Sequence, residues 1–274
     1  MKTFKPWVMK SCVSVLAALA MGSVVAPAAA QAPEKDIWLM GEVHDNPNAH
    51  FFRLKAIEKA LGGDWRPALV MEQFNTDRQP ELTQAWQTCK TAQCVINKAA
   101  EPGTAWHWDY YKPLITLALK YRLPLVAGNL SRAQLKEVMK DGYSAVFDAQ
   151  TINRFGLKNS LPVQLADQQR VAIDVGHCNK LDATTINDMI KAQVARDVNF
   201  AKLIDQYSSQ GVVLVAGNNH VRRDIGVMQW LQPAVASRVV VSGYVESGGI
   251  EDGIYDILHL VEPVKRADLC AKVQ

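Results

Sequence analysis

The sequence predicts an α/β protein: a mostly parallel central sheet flanked by helices, with antiparallel strands at one edge and a helical insertion. Three observations predict it. Short apolar runs recur along the 274 residues, longer stretches of helical spacing separate them, and a Gly-rich Ser247-Gly248-Gly249 joins the last two runs. Strands that alternate with helices need a parallel sheet covered on both faces. A chain that is 49% apolar and 21% charged has enough apolar residues for a real core.

The first element is a targeting segment, residues 1–30. Lys2, Lys5 and Lys10 form a basic start, residues 12–25 are apolar and uncharged, and Ala28-Ala29-Ala30 supplies small residues for cleavage near Ala30. A cut after Ala32 also fits but would leave Pro33 at the new terminus. The apolar run is shorter than the ~20 residues a membrane span needs, and no later run is long enough, so no transmembrane segment is expected. Cys12 lacks the preceding residues of a lipoprotein signal. Without the three leader lysines, basic and acidic residues balance at 27 each, which argues against nucleic acid or an anionic membrane as the main partner.

Apolar runs at residues 36–40, 68–71, 123–127, 212–216, 238–241 and 255–261 read as strands. Helical spacing follows the first run at 48–61 and precedes the third at 113–121, where Pro113 suits a first turn. Ser131 caps a helix to about Lys140, and the longest helix spans about 182–208. Residues 31–274 read as one domain. The segment 79–108, with three tryptophans and two close cysteines, reads as a helical insertion over the sheet.

Four cysteines follow the leader, and an even count in an exported chain suggests two disulfides. Cys89 with Cys94 would close a small loop and leave Cys178 to tie Cys270, although three pairings are possible. A thiolate metal site is the competing reading.

In open parallel sheets, ligands bind beyond the carboxyl ends of the strands. Those ends carry Glu42 and His44, then Glu72 and Gln73, then Asn129, then Asn218, Asn219 and His220. In an extended segment, Glu42 and His44 point to the same side, as two metal ligands or as a Glu orienting a His. Asp45 or Asn46 is left to cap the next helix. Glu72 beside a buried run needs a partner, and a salt bridge to Arg222 or Arg223 is the structural option. His177 reads equally as a site residue or as a loop histidine beside a disulfide. His50, His107 and His259 read as structural, although a porphyrin face would also suit the aromatic cluster around His107. The Gly-x-Ser-x-Gly and His-Glu-x-x-His signatures are both absent from the sequence.

These motifs, with Trp106-His107-Trp108, Tyr111-Lys112-Pro113-Leu114, Gly176-His177-Cys178, Arg196-Asp197 and Ala216 through Asp224, resemble the ChaN-type haem-binding uptake family of the Tiki superfamily. The resemblance implies a mixed-sheet α/β domain, haem as cofactor, and a part in haem or iron uptake in Gram-negative bacteria. It also implies a homodimer around haem held by tyrosine, for which Tyr207 and Tyr143 are candidates. Lacking a lipoprotein signal, this chain is expected in the periplasm. Candidate haem contacts are His44, His177, Tyr207, His220 and Arg222. The alternative is a metal-dependent hydrolase, an esterase or protease like other branches of the superfamily. It would use Glu42, His44, Glu72 and His220 catalytically, hold a divalent metal on Glu42, His44 and His220, or use Glu42 as a base on water.

Overall fold

In the computed structural model, the described residues are 1–3, 33–246, 253–267 and 270–272. The targeting segment and the Gly-rich turn at 247–249 therefore fall, almost entirely, outside them. Six strands form one sheet: β1 Ile37–Met40, β2 Ala68–Asn75, β3 Leu125–Asn129, β4 Val212–Val215, β5 Val239–Glu246 and β6 Ile257–Val261, in the order β3-β2-β4-β1-β5-β6. Every neighbouring pair is parallel.

The expected antiparallel edge, and with it a mixed sheet, is thus corrected. β6 begins level with Ser242, not with the end of β5. The chain returns by about 13 Å along the strand, at ~3.3 Å per residue, before pairing. Asp256 pins that return: its N–H donates to the Val241 carbonyl (2.9 Å), and its carboxylate accepts the Val241 N–H (2.8 Å) and the Arg223 guanidinium. A glycine-rich link alone does not determine strand direction; these anchors do.

The helices are α1 Pro47–Ala60, α2 Gln79–Thr88, α3 Ala92–Ala99, α4 Trp108–Tyr121, α5 Arg132–Asp141, α6 Ala149–Arg154, α7 Val163–Gly176, α8 Ala183–Tyr207 and α9 Asn218–Val221, with a last short turn, α10 Pro233–Ala236. Strand side chains alternate between two cores. Ile37, Leu39, Ala68, Val70, Val212 and Leu214 pack toward α5, α7 and α8. Met40, Leu69, Met71, Val213 and Val215 pack toward α1 to α4. Burial on both faces explains the unbroken apolar runs.

Local signals set most helix starts. Asn46 accepts the N–H groups of Asn48 and Ala49, Ser131 and Gln134 form a reciprocal capping box, and Asp182 caps α8. Two of the longer helices differ from expectation. α4 starts five residues before Pro113, which lies inside the helix. α7 was not predicted: its exposed Val163, Val171 and Val175 blur the stripe that marks an amphipathic helix. The disulfides Cys89–Cys94 and Cys178–Cys270 both form; the first joins α2 to α3, and the second ties the end of α7 to the C-terminal tail.

Candidate functional site

Register brings the chemistry together. Met40 lies level with Val215, and Met71 is level with Val215 as well. The segments that follow, Gly41-Glu42, Glu72-Gln73 and Ala216-Gly217, therefore leave the sheet at one edge. β2 runs past Met71 to Asn75 through an irregularity in its pairing with β3, a distortion that re-aims side chains. Glycine is required here by contact. A Cβ on Gly41 would stand 2.2 Å from Asn218 Oδ1, and one on Gly217 would stand 3.0 Å from His44 Nε2.

Glu42 is fully buried and saturated. One carboxylate oxygen accepts from His44 Nδ1 (2.8 Å), Gln73 Nε2 (3.2 Å) and the Tyr111 hydroxyl, and the other takes the Arg53 guanidinium. Burial alone would raise its pKa, but the Arg53 charge and these hydrogen bonds prevail and hold it well below the usual carboxylate range. His50 donates Nε2–H to the His44 carbonyl (3.0 Å), so its Nδ1 accepts from Arg53 (2.9 Å). It is a neutral imidazole, lowered to about 4 by burial and by Arg53. His44 goes the other way. Burial works against its charge, yet the Glu42 hydrogen bond and the Glu72 and Glu42 charges raise it to about 9. Solvent reaches 44% of its side chain and tempers that rise.

A second chain of groups meets the first. Asp197 of α8 accepts from His220 Nδ1 at 2.6 Å, and His220 Nε2 lies 3.7 Å from Glu72 Oε1. Burial pushes Asp197 up to about 6, against the pull of His220. Glu72 Oε2 accepts the Gly217 N–H at 2.8 Å. The expected Glu72 salt bridge is replaced by these contacts, since Arg222 pairs with Asp224 and Arg223 with Asp256.

The predicted residues thus fall in separate places. His44 and Glu72 line a cleft of about 350 Å³ with Trp106, Asn129, Arg132 and Arg196. Exposed His107 also lines it and stacks on Tyr110, within the aromatic cluster the sequence marks. Arg222 lines a groove of about 580 Å³ along α7, with Val171, Ala172, Val175 and Gly176. His177 and His220 line a smaller hollow that shares Ala172, Gly176 and Asn219 with that groove. Tyr207 borders a separate depression beside Phe147. Tyr143 lies elsewhere, its phenol pushed up to about 12 by burial. His259 stacks flat on Tyr244, 4.4 Å between centroids.

The metal trio of Glu42, His44 and His220 finds no support. Among the described residues, no group of three or more His, Cys, Asp or Glu side chains is placed to hold a metal ion. Glu42 is already neutralised by Arg53, and His220 is engaged by Asp197 on another strand end. The same saturation removes Glu42 as a base on water.

Arg53, Tyr111, Asp197 and Gln73 were missed as site residues, and His50 was taken as merely structural. One signal was available: Ala49, His50, Arg53 and Ile57 form the buried stripe of α1, so a His and an Arg face the core at helical spacing. Tyr111 and Asp197 stood within motifs but showed no sign of their partners.

An all-parallel α/β sheet with a Glu/His cluster at its carboxyl edge defines an open-sheet protein with a ligand site at the strand ends. The chain belongs to the family described as haem-binding uptake, Tiki superfamily, ChaN, whose model matches residues 28–231. It is similar in fold to a solved ChaN of Campylobacter jejuni described as binding haem cofacially: TM-score 0.69 and 17% identity, covering 82% of this chain and 87% of that one. A weaker match is an erythromycin esterase mutant, EreC H289N, in its open conformation, with a TM-score of 0.48 and 12% identity over 78% and 70% of the two chains. No curated protein sequence matches.

Proposed function

We propose that this protein binds haem across the groove along α7 and the hollow that adjoins it, with His177 of the hollow as the axial ligand and Arg222 of the groove near the propionates. The observation that carries this reading is the state of His177. It is exposed, and its Nδ1 donates to the Ile173 carbonyl at 2.7 Å. That bond leaves the Nε2 lone pair outward, the tautomer an iron-ligating histidine needs. Haem, when bound, supplies an iron that accepts this lone pair. Val171 and Val175, 61% and 65% exposed, are four apart on one helix face and offer apolar contact to a porphyrin. Ala172 and Gly176, both small, line the groove beside them, as does Arg222 with its partner Asp224.

The other candidates suit iron less well. His44 is held in its charged form by Glu42, whereas a metal ligand must be neutral. His220 is buried between Asp197 and Glu72, and Tyr207 lies in another depression. Two disulfides and a secretory-type leader support a place in the periplasm, where the protein would carry haem for iron uptake. A second copy closing over the exposed α7 valines would take them out of water, which favours a homodimer when haem is bound.

The test is a spectroscopic haem titration of the mature protein, with sedimentation on the same samples. A saturable Soret shift that is lost in His177→Ala and kept in Tyr207→Phe and His44→Ala is expected. An unchanged shift in His177→Ala would refute the assignment.

A further inference from the structure

We propose that the strand-end cleft is a catalytic site that hydrolyses carboxylic esters bearing a second, anionic group, with Glu72 as general base and His44 as general acid. This rests on the cleft alone and not on the haem reading. The arrangement is that of two imidazole–carboxylate pairs facing one space. Behind the cleft, Arg53, Tyr111 and Gln73 fix Glu42, which fixes His44 through Nδ1. On the other side, Asp197 fixes His220, whose Nε2 lies beside Glu72.

The two working atoms remain open. His44 Nε2 and Glu72 Oε1 make no hydrogen bond among the described residues, and both side chains line the cleft. A methyl group on Gly217 would stand 3.0 Å from His44 Nε2 and 3.7 Å from Glu72 Oε2, so both groups border one small volume. Glu42 is fully hydrogen-bonded and therefore acts as a positioning residue. No serine or cysteine lines the cleft, and the hydroxyl of its one threonine, Thr104, is donated to the Glu101 carbonyl (3.1 Å), so water is taken as the nucleophile.

Two arginines define the substrate. Arg132, at the start of α5, and Arg196 of α8 line the same cleft, and neither has a carboxylate partner among the described residues. Among the described residues, Arg196 donates only to Asn129 Oδ1, at 3.2 Å. Of the acidic residues that also line the cleft, Asp45 is ion-paired with Arg266 and Glu101 accepts from the Asn75 amide. A carboxylate on the substrate would complete the arginine pair.

The step balances without a cofactor. Glu72 takes a proton from water as its oxygen bonds to the ester carbonyl carbon. The bond to the leaving oxygen breaks as His44 Nε2 gives that oxygen its proton. The products are a carboxylic acid and an alcohol, and proton transfer from Glu72 back to His44 resets the pair.

The experiment is a steady-state assay of the mature protein with monophenyl succinate, neutral phenyl butyrate, and mono(4-nitrophenyl) succinate. Hydrolysis of the phenyl succinate above the butyrate is expected, with kcat falling by at least ~100-fold in Glu72→Gln. His44→Gln should lose more rate on the phenyl ester than on the 4-nitrophenyl ester, whose leaving group needs no proton. A merely structural histidine would slow both equally. Arg132→Ala and Arg196→Ala should raise KM for the succinates only. Thermal melts on each variant report folding separately. No hydrolysis of phenyl succinate, full activity in Glu72→Gln, or an unchanged KM for the succinates in both arginine variants would each overturn the proposal.

Discussion

Replacing Arg53 by Met should destabilise the protein by about 3–5 kcal/mol at neutral pH, the usual cost of leaving a buried charge without its partner. The structure supports the upper part of that range. Arg53 is 1% exposed, its guanidinium meets Glu42 directly, and it also donates to His50. Methionine fills a similar volume, so little of the loss comes from a cavity. The pH dependence carries the sharper test. In the wild type, Glu42 is depressed below its unfolded value of 4.5. Its contribution is therefore fully present above pH 4.5 and is lost as the pH falls toward the folded value. In Arg53→Met, burial dominates and Glu42 shifts upward, so the penalty is largest at neutral pH and eases as acid protonates it. Urea unfolding at pH 7 and pH 4 should thus show the gap between the two proteins shrinking on acidification. Glu42→Gln added to Arg53→Met should recover part of the loss by removing the orphan charge. A gap below about 1 kcal/mol at pH 7, or one that widens at pH 4, would refute the account of Glu42 as an Arg53-neutralised carboxylate.

Other outcomes follow from the same geometry. His44, raised to about 9 by Glu42 and Glu72 against the opposing effect of burial, should appear as an imidazolium at pH 7.5 by NMR and return toward 6.5 in Glu42→Gln. Because its folded value lies above the unfolded one, its stabilising contribution is complete below pH 6.5 and disappears as pH rises through about 9. Cys270→Ser opens a bridge between residues 92 apart in sequence and should cost about 2–4 kcal/mol in chemical unfolding. It should also weaken haem binding by releasing the segment beside His177. Gly41→Ala forces a methyl against Asn218 Oδ1 and Val221 and should lower the melting temperature and displace α9, by a repacking cost of about 1–3 kcal/mol; an unchanged melt would contradict the packing described.

The sequence by itself determined the class of fold and most strand positions, because strands buried on both faces must be apolar throughout and are bounded by polar turns. The runs at 36–40, 212–216 and 68–71 became β1, β4 and the first half of β2. Caps at Asn46, Ser131 and Asp182 are local chemistry and could be read directly. Glu42, His44, Glu72 and His220 stand out in the sequence because strand ends are where an open sheet binds ligands. The direction of β6 could not be read, since it depends on Asp256 meeting Val241 and Arg223 across the fold. Nor could α7, whose valines face outward. Above all, the roles within the cluster were decided by the tertiary structure. Glu42 was a candidate base and metal ligand until Arg53, Tyr111 and Gln73 were seen to saturate it. Those partners lie 11, 69 and 31 residues away in sequence. A residue's type states what chemistry it can perform; only the neighbours the fold brings to it decide its charge, its proton and the face it leaves open.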